Sequence, residues 1–176
     1  MKGFTLIEVV IAVMLLAVIL WGGTSLFFQS LRSSGLSDVN SNLDNSLQTI
    51  LSSIEKDIRY GEVTGVGIGV RSDCLNAGET GYSGNSLYVS DLNGSETVYS
   101  LIDSKIASTS SETGRTINLN STDIVITSLQ FTWYCRNNIS DKINIAIDGN
   151  SNVLSTGILV ERSLSTEINL LNSGLN

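Results

Sequence analysis

The amino end constrains this chain most. It reads MKGFTLIEVVIAVMLLAVILWGGTSLFF, in which Lys2 and Glu8 are the only formal charges. From Val9 to Phe28 about twenty residues carry none, which at about 1.5 Å of rise per residue spans the roughly 30 Å hydrocarbon core of a bilayer. The stretch is long enough to cross a membrane as one helix. Glu8 is the anomaly, because an ionised carboxylate in hydrocarbon costs about 2.5 to 3.5 kcal/mol even on the gentlest insertion scale. Either it lies at the headgroup level without a partner, or a second charge meets it in the same low-dielectric place. A secretory signal peptide also begins with a basic residue, but its apolar core is shorter and ends at a small-residue cleavage site. Here the run continues into Gly22, Gly23, Thr24 and Ser25 with no Ala-x-Ala pattern. A plain one-pass anchor leaves Glu8 unexplained.

The run Lys2-Gly3-Phe4-Thr5-Leu6-Ile7-Glu8-Val9 resembles the type IV prepilin signal. The resemblance implies a leader of residues 1–3, cut after Gly3 by a prepilin peptidase. It implies methylation of the new amino terminus at Phe4 and retention of residues 4–28 as a transmembrane and filament-core helix. It also gives Glu8 a partner, the Phe4 ammonium of a neighbouring subunit, so that Glu8 and Phe4 together set the register of assembly.

Past the apolar run a helical period persists. Leu36, Val39, Leu43, Leu47, Ile50, Leu51, Ile54 and Ile58 recur at steps of three and four, which lines them along one helix face. Gly61 is the expected stop. A helix from about Thr5 to Tyr60 is roughly 85 Å long, far more than a domain from the remaining residues can cover, so half of it must project. Residues 29–61 are then an amphipathic second half of a stem, and 62–176 a β-rich head. Gly22, Gly23 and Gly35 are weak points at which a stem could bend, each costing about 0.5 to 1 kcal/mol relative to Ala.

After Gly61 the period becomes alternating. Strands are expected at Val66 to Val70, Ser86 to Asp91, Glu96 to Ile102, Arg115 to Asn120, Asp123 to Tyr134, Lys142 to Ile147 and Ile158 to Leu171, the last as one strand or two. Asn93-Gly94 signals a hairpin, and Asp148-Gly149 a second turn. Ser108 to Gly114 reads as an exposed loop. The fold class is therefore α+β, a long stem helix whose second half packs on an antiparallel β domain, and the resemblance implies that this is the pilin fold. Ile54-Glu55-Lys56-Asp57-Ile58-Arg59, Leu129-Gln130-Phe131-Thr132-Trp133-Tyr134 and Ile168-Asn169-Leu170-Leu171-Asn172 resemble patches of the minor pilins and pseudopilins of the PilW and type II secretion J type. The late cysteine pair of major pilins is absent, which favours a minor component.

Cys74 and Cys135 are the only cysteines. In an exported domain such a pair is read as a disulfide, with two unpaired thiols as the alternative. Closing about 62 residues contributes roughly 4 kcal/mol on the chain-entropy model. Asp91, Asn93, Ser95 and Glu96 imitate the start of a calcium loop, although a hairpin turn explains them more simply. Asp57 beside Lys56 and Arg59 reads as a charged helix end.

With no histidine the commonest general base and metal ligand is missing. No triad, metal cluster or phosphate loop takes its place, so no catalytic residue, metal or cofactor is expected. A net charge of −7 with scattered Lys and Arg gives no basic stripe for nucleic acid. The resemblance implies as partners other pilins or pseudopilins, the prepilin peptidase, an inner-membrane assembly platform and the bilayer. It also implies a single-pass inner-membrane protein with its head outside the cytoplasm, which then enters a cell-surface or periplasmic filament. The rival function is a membrane-tethered, adhesin-like β domain that never polymerises.

Overall fold

The computed structural model describes residues 5–137, 139–153 and 157–171. Helix α1 runs unbroken over Leu6–Tyr60, 55 residues. Gly22, Gly23 and Gly35 lie within it without interrupting it. Its apolar stripe behaves as the period requires. Leu43, Leu47, Ile50, Leu51, Ile54 and Ile58 are all buried, a gross gain of about 9 to 18 kcal/mol for six such side chains before entropy is charged. Leu36 and Val39 are partly buried against the same core. The stop at Gly61 has a packing cause: its φ of −107° is ordinary extended backbone, but a Cβ there would sit 2.6 Å from the Ser90 carbonyl oxygen. The chain turns where only glycine fits.

The head is antiparallel, as expected, and contains two sheets. Its elements are β1 (Glu62–Val66), α2 (Arg71–Ala77), a 3₁₀ turn (Gly78–Thr80), β2 (Tyr82–Gly84), β3 (Ser86–Ser90), β4 (Glu96–Ile102), β5 (Lys105–Ser110), β6 (Thr116–Asn118), β7 (Ile124–Arg136), β8 (Ile139–Val153) and β9 (Ile158–Asn169). One sheet has the order β1-β3-β4-β5-β6, the other β2-β7-β8-β9. Strand β4 matches its expected bounds, and β9 is a single strand. The first strand ends at Val66 instead of beginning there, because Val66 and Gly69 exchange backbone hydrogen bonds and fold residues 66–69 into a tight turn. The serine-rich stretch is not wholly a loop: Ser108 to Ser110 pair with β4, and only the residues after them turn. Asn93-Gly94 does lie in the β3–β4 connection, with Gly94 at φ +82°.

Asp148-Gly149 is not a turn. Both residues lie inside β8, where Gly149 faces Ile126 on one side and Arg162 on the other. A Cβ on Gly149 would come within 3.3 Å of Leu47 and of Ile126. The glycine is there because the stem crosses the sheet at that point, and close backbone approach is the other standing reason for a strand glycine.

Three fasteners close the head. A disulfide joins Cys74 of α2 to Cys135 of β7. Arg71, three residues before that cysteine, forms a two-point ion pair with Asp141, Nε to Oδ2 at 3.0 Å and Nη2 to Oδ1 at 3.3 Å. Asp141 is fully buried, so this pair is what permits a carboxylate in the core. At the end of the stem, the buried Tyr99 hydroxyl of β4 donates to the Asp57 carboxylate. Burial, then the hydrogen bond and charge of Asp57, push the Tyr99 ionisation well above the usual tyrosine range. Asp57 is thus a partner of the sheet, while the neighbouring Arg59 pairs with Glu55 at 2.6 Å, one turn back.

Candidate assembly site

In contrast to the stripe that holds the head, the first part of α1 has no cover. Every residue from 5 to 34 is exposed, among them Leu6, Ile7, Val9, Leu15 and Ile19, whose spacing carries them right round the helix. A helix that is apolar all round must be buried in lipid or in other protein. Its mean hydropathy over an 18-residue window is 2.5, so this one is long and apolar enough to cross a membrane. Its internal hydroxyls do not oppose that. Thr24 Oγ1 donates to the carbonyls of Leu20 and Trp21, and Ser25 Oγ to that of Gly22. The span therefore shows hydrocarbon no unpaired hydroxyl hydrogen.

Glu8 has a partner within its own chain. Its Oε2 accepts from the Thr5 backbone N–H at 3.0 Å and from the Thr5 hydroxyl at 2.9 Å. This is the reciprocal half of a capping box, in which an N3 carboxylate reaches back to the N-cap residue. Thr5 joins the site although the prepilin resemblance assigns it no role; its signal in the sequence is the T-x-x-E spacing of Thr5-Leu6-Ile7-Glu8. Both bonds use Oε2. They hold the carboxylate at the first turn, where a negative charge also suits the helix dipole, and no bond to Oε1 is seen among the described residues. Gly3 and Phe4, expected as the cleavage and methylation positions, lie outside the described residues.

The remaining candidates fall in the head and do not converge on a site with Glu8. Cys74 and Cys135 are buried in the core. The Asp91 carboxylate is occupied by its own turn, Oδ1 accepting from the backbone N–H groups of Asn93 and Ser95 at 2.8 and 2.9 Å. Glu96 accepts from the Thr64 hydroxyl at 2.8 Å. The hairpin thus accounts for the spacing that imitates a calcium loop. Among the described residues no group of three or more acidic, histidine or cysteine side chains is arranged to hold a metal.

Comparison with known proteins bears on the amino end alone. Residues 1–24 match the family model of the prokaryotic N-terminal methylation motif, which supports a type IV pilin-like prepilin. No curated protein and no solved structure matches the chain.

Proposed function

We propose that the chain is a minor pilin or pseudopilin, a structural subunit that joins or primes a type IV pilus or a type II secretion pseudopilus. In this reading the leader of residues 1–3 is removed after Gly3, Phe4 becomes the methylated amino terminus, and residues 4–28 hold the protein in the inner membrane until assembly. The observation that carries it is the uncovered apolar half-stem, headed by a carboxylate, on a head whose own core is complete without it. A plain anchor needs the apolar half but not Glu8. A subunit entering a filament needs both, since its ammonium would otherwise enter a low-dielectric core unpaired. Thr5 steadies Oε2, and among the described residues no group bonds Oε1, which suits the carboxylate to an incoming ammonium. The role is structural rather than catalytic. Intact-mass spectrometry of protein from membranes tests the reading: it expects a chain starting at methylated Phe4, and an uncut precursor for Gly3→Val. A wild-type chain that keeps Met1 to Gly3, or starts elsewhere, would overturn it.

A further inference from the structure

Strand β9 closes one sheet of the head with its outer side unpaired. In the order β2-β7-β8-β9 it is an edge strand, 12 residues long, and each of its residues has a register partner in β8 with no bulge between them. One bond sets the phase of that ladder. The Leu170 N–H donates to the Asp141 carbonyl at 2.8 Å, so the even-numbered residues turn their backbone groups toward β8 and the odd-numbered ones turn theirs away. Leu159, Glu161, Ser163, Ser165, Glu167 and Asn169 therefore carry N–H and C=O groups along the open edge, and all six are exposed. Among the described residues one of these groups has a partner: the Glu161 carbonyl accepts from Arg162 Nη1 at 3.2 Å. From Ser163 to Asn169 the edge is bare.

Sheet edges are commonly blunted by shortness, proline, lysine or a bulge. The other edges of the head are short, β1 with 5 residues and β2 and β6 with 3 each. Strand β9 has no proline and no lysine, and small hydroxyl residues, Ser163, Ser165 and Thr166, lie at the bare part. We infer that this edge takes an extended segment of another protein as an added antiparallel strand, with a basic residue where that segment meets Glu161. Outward N–H and C=O groups at every second residue are matched in spacing by another strand, which is the chemistry of strand addition. The charge follows from the pairs already made. Glu167 is tied to Lys142 at 2.7 Å and Arg162 to Asp44 at 3.1 Å, whereas no cation pairs with Glu161 among the described residues, and opposite charges across neighbouring strands are favourable. A second copy fits this edge badly. Antiparallel pairing of β9 with itself needs a two-fold axis along the sheet normal, which reverses a stem lying across the sheet, and stems held in one membrane point the same way. The inference goes beyond the filament reading and does not rest on it.

The test uses the full-length chain in detergent, with a fluorescent nine-residue peptide, Thr-Val-Thr-Val-Thr-Val-Thr-Ser-Lys, as probe. Saturable binding is expected, with slower hydrogen exchange at the Ser163, Ser165 and Glu167 amides. Ser165→Pro removes an outward N–H and no bond to β8, so it should weaken binding about tenfold or more with the melting temperature nearly unchanged. Glu161→Lys gives a second reading that does not depend on that proline being tolerated: it should weaken binding of this peptide and favour one ending in glutamate. No binding at about 1 mM peptide, or binding that neither substitution alters, would overturn the inference. So would a concentration-dependent dimer abolished by Ser165→Pro, which would give the edge to a second copy. Peptide binding that appears only after deletion of residues 172–176 would give it to the chain's own segment, and would overturn the inference as well.

Discussion

Leu16 and Leu47 are the same residue in the same helix, and each has apolar residues three and four places on, Ile19 and Leu20 for the one, Ile50 and Leu51 for the other. One is exposed and the other has no exposure at all. Leu47 meets Gly149 of β8, a position that keeps its backbone bare so that the stem can lie close. Leu16 stays largely exposed, with no cover among the described residues. The difference shows that the apolar content of a long helix does not say what it packs against; the partner does. For the second half the partner is written later in the same chain, as β8 and β9. For the first half none is found among the described residues.

The largest effect that would sharpen the contrast is loss of the disulfide. It closes a separation of 61 residues, and its removal by Cys135→Ser should cost about 4 kcal/mol on the chain-entropy model, seen as a lower melting temperature of the full chain in detergent. Fully alkylated thiols on both cysteines without reductant would end that claim. Next comes the comparison itself. Leu47→Ala should cost about 2 to 5 kcal/mol as a buried large-to-small change, while Leu16→Ala should leave the head's melting temperature where it was. Equal losses would mean that the two halves are not independent. Gly149→Ala should cost about 1 to 3 kcal/mol by overpacking against Leu47 and Ile126, and Leu47→Ala should relieve part of it; additive losses would show that the stem does not crowd the sheet there. The smallest effect belongs to Arg162, which reaches from β9 to Asp44 at 3.1 Å and Asn40 at 2.8 Å of the stem. The pair is half exposed, and Arg162→Ala should cost no more than about 1 kcal/mol.

Tyr99 adds a pH test of the stem's end. Its folded ionisation is raised above the unfolded value of 10.0, so the stability linked to it is complete below that pH and declines as pH rises through the folded value. Tyr99→Phe should flatten the alkaline part of the stability profile. An unchanged profile would show that the tyrosine is not the group responsible.

The sequence exposed the stem well, because a period sustained from Leu36 to Ile58 and a run as long as Val9 to Phe28 admit few structures. Strand β4 was legible for a similar reason, with alternation on both sides of a clear turn. Strand β5 was not. Its turn is made by Asp103 and Ser104, both at positive φ, in place of the glycine that marks most such hairpins, and its own residues are mostly small and polar. Helix α2, only 7 residues long, is held by Cys74 and Arg71 through partners about sixty and seventy residues away, which no local pattern records. Gly149 misled for the same reason: a glycine needed for a close approach looks like a glycine needed for a turn. At the candidate site the charge was visible in Glu8, and its partner Thr5 was visible too, as a capping box that the apolar run overshadowed.

In the filament reading, Glu8 heads a helix half whose partners are other subunits. Replacing it by leucine removes a charge from the span, so insertion and cleavage after Gly3 should proceed as before. Entry into a filament should not. Truncating one partner of a buried ion pair costs about 3 to 5 kcal/mol, a factor of hundreds or more in association. The measurement is the amount of Glu8→Leu protein in sheared filaments relative to that in membranes, beside wild type. A fall of about a hundredfold or more is expected, with the membrane fraction fully processed; recovery at the wild-type ratio would show that Glu8 is only a helix cap at the membrane edge.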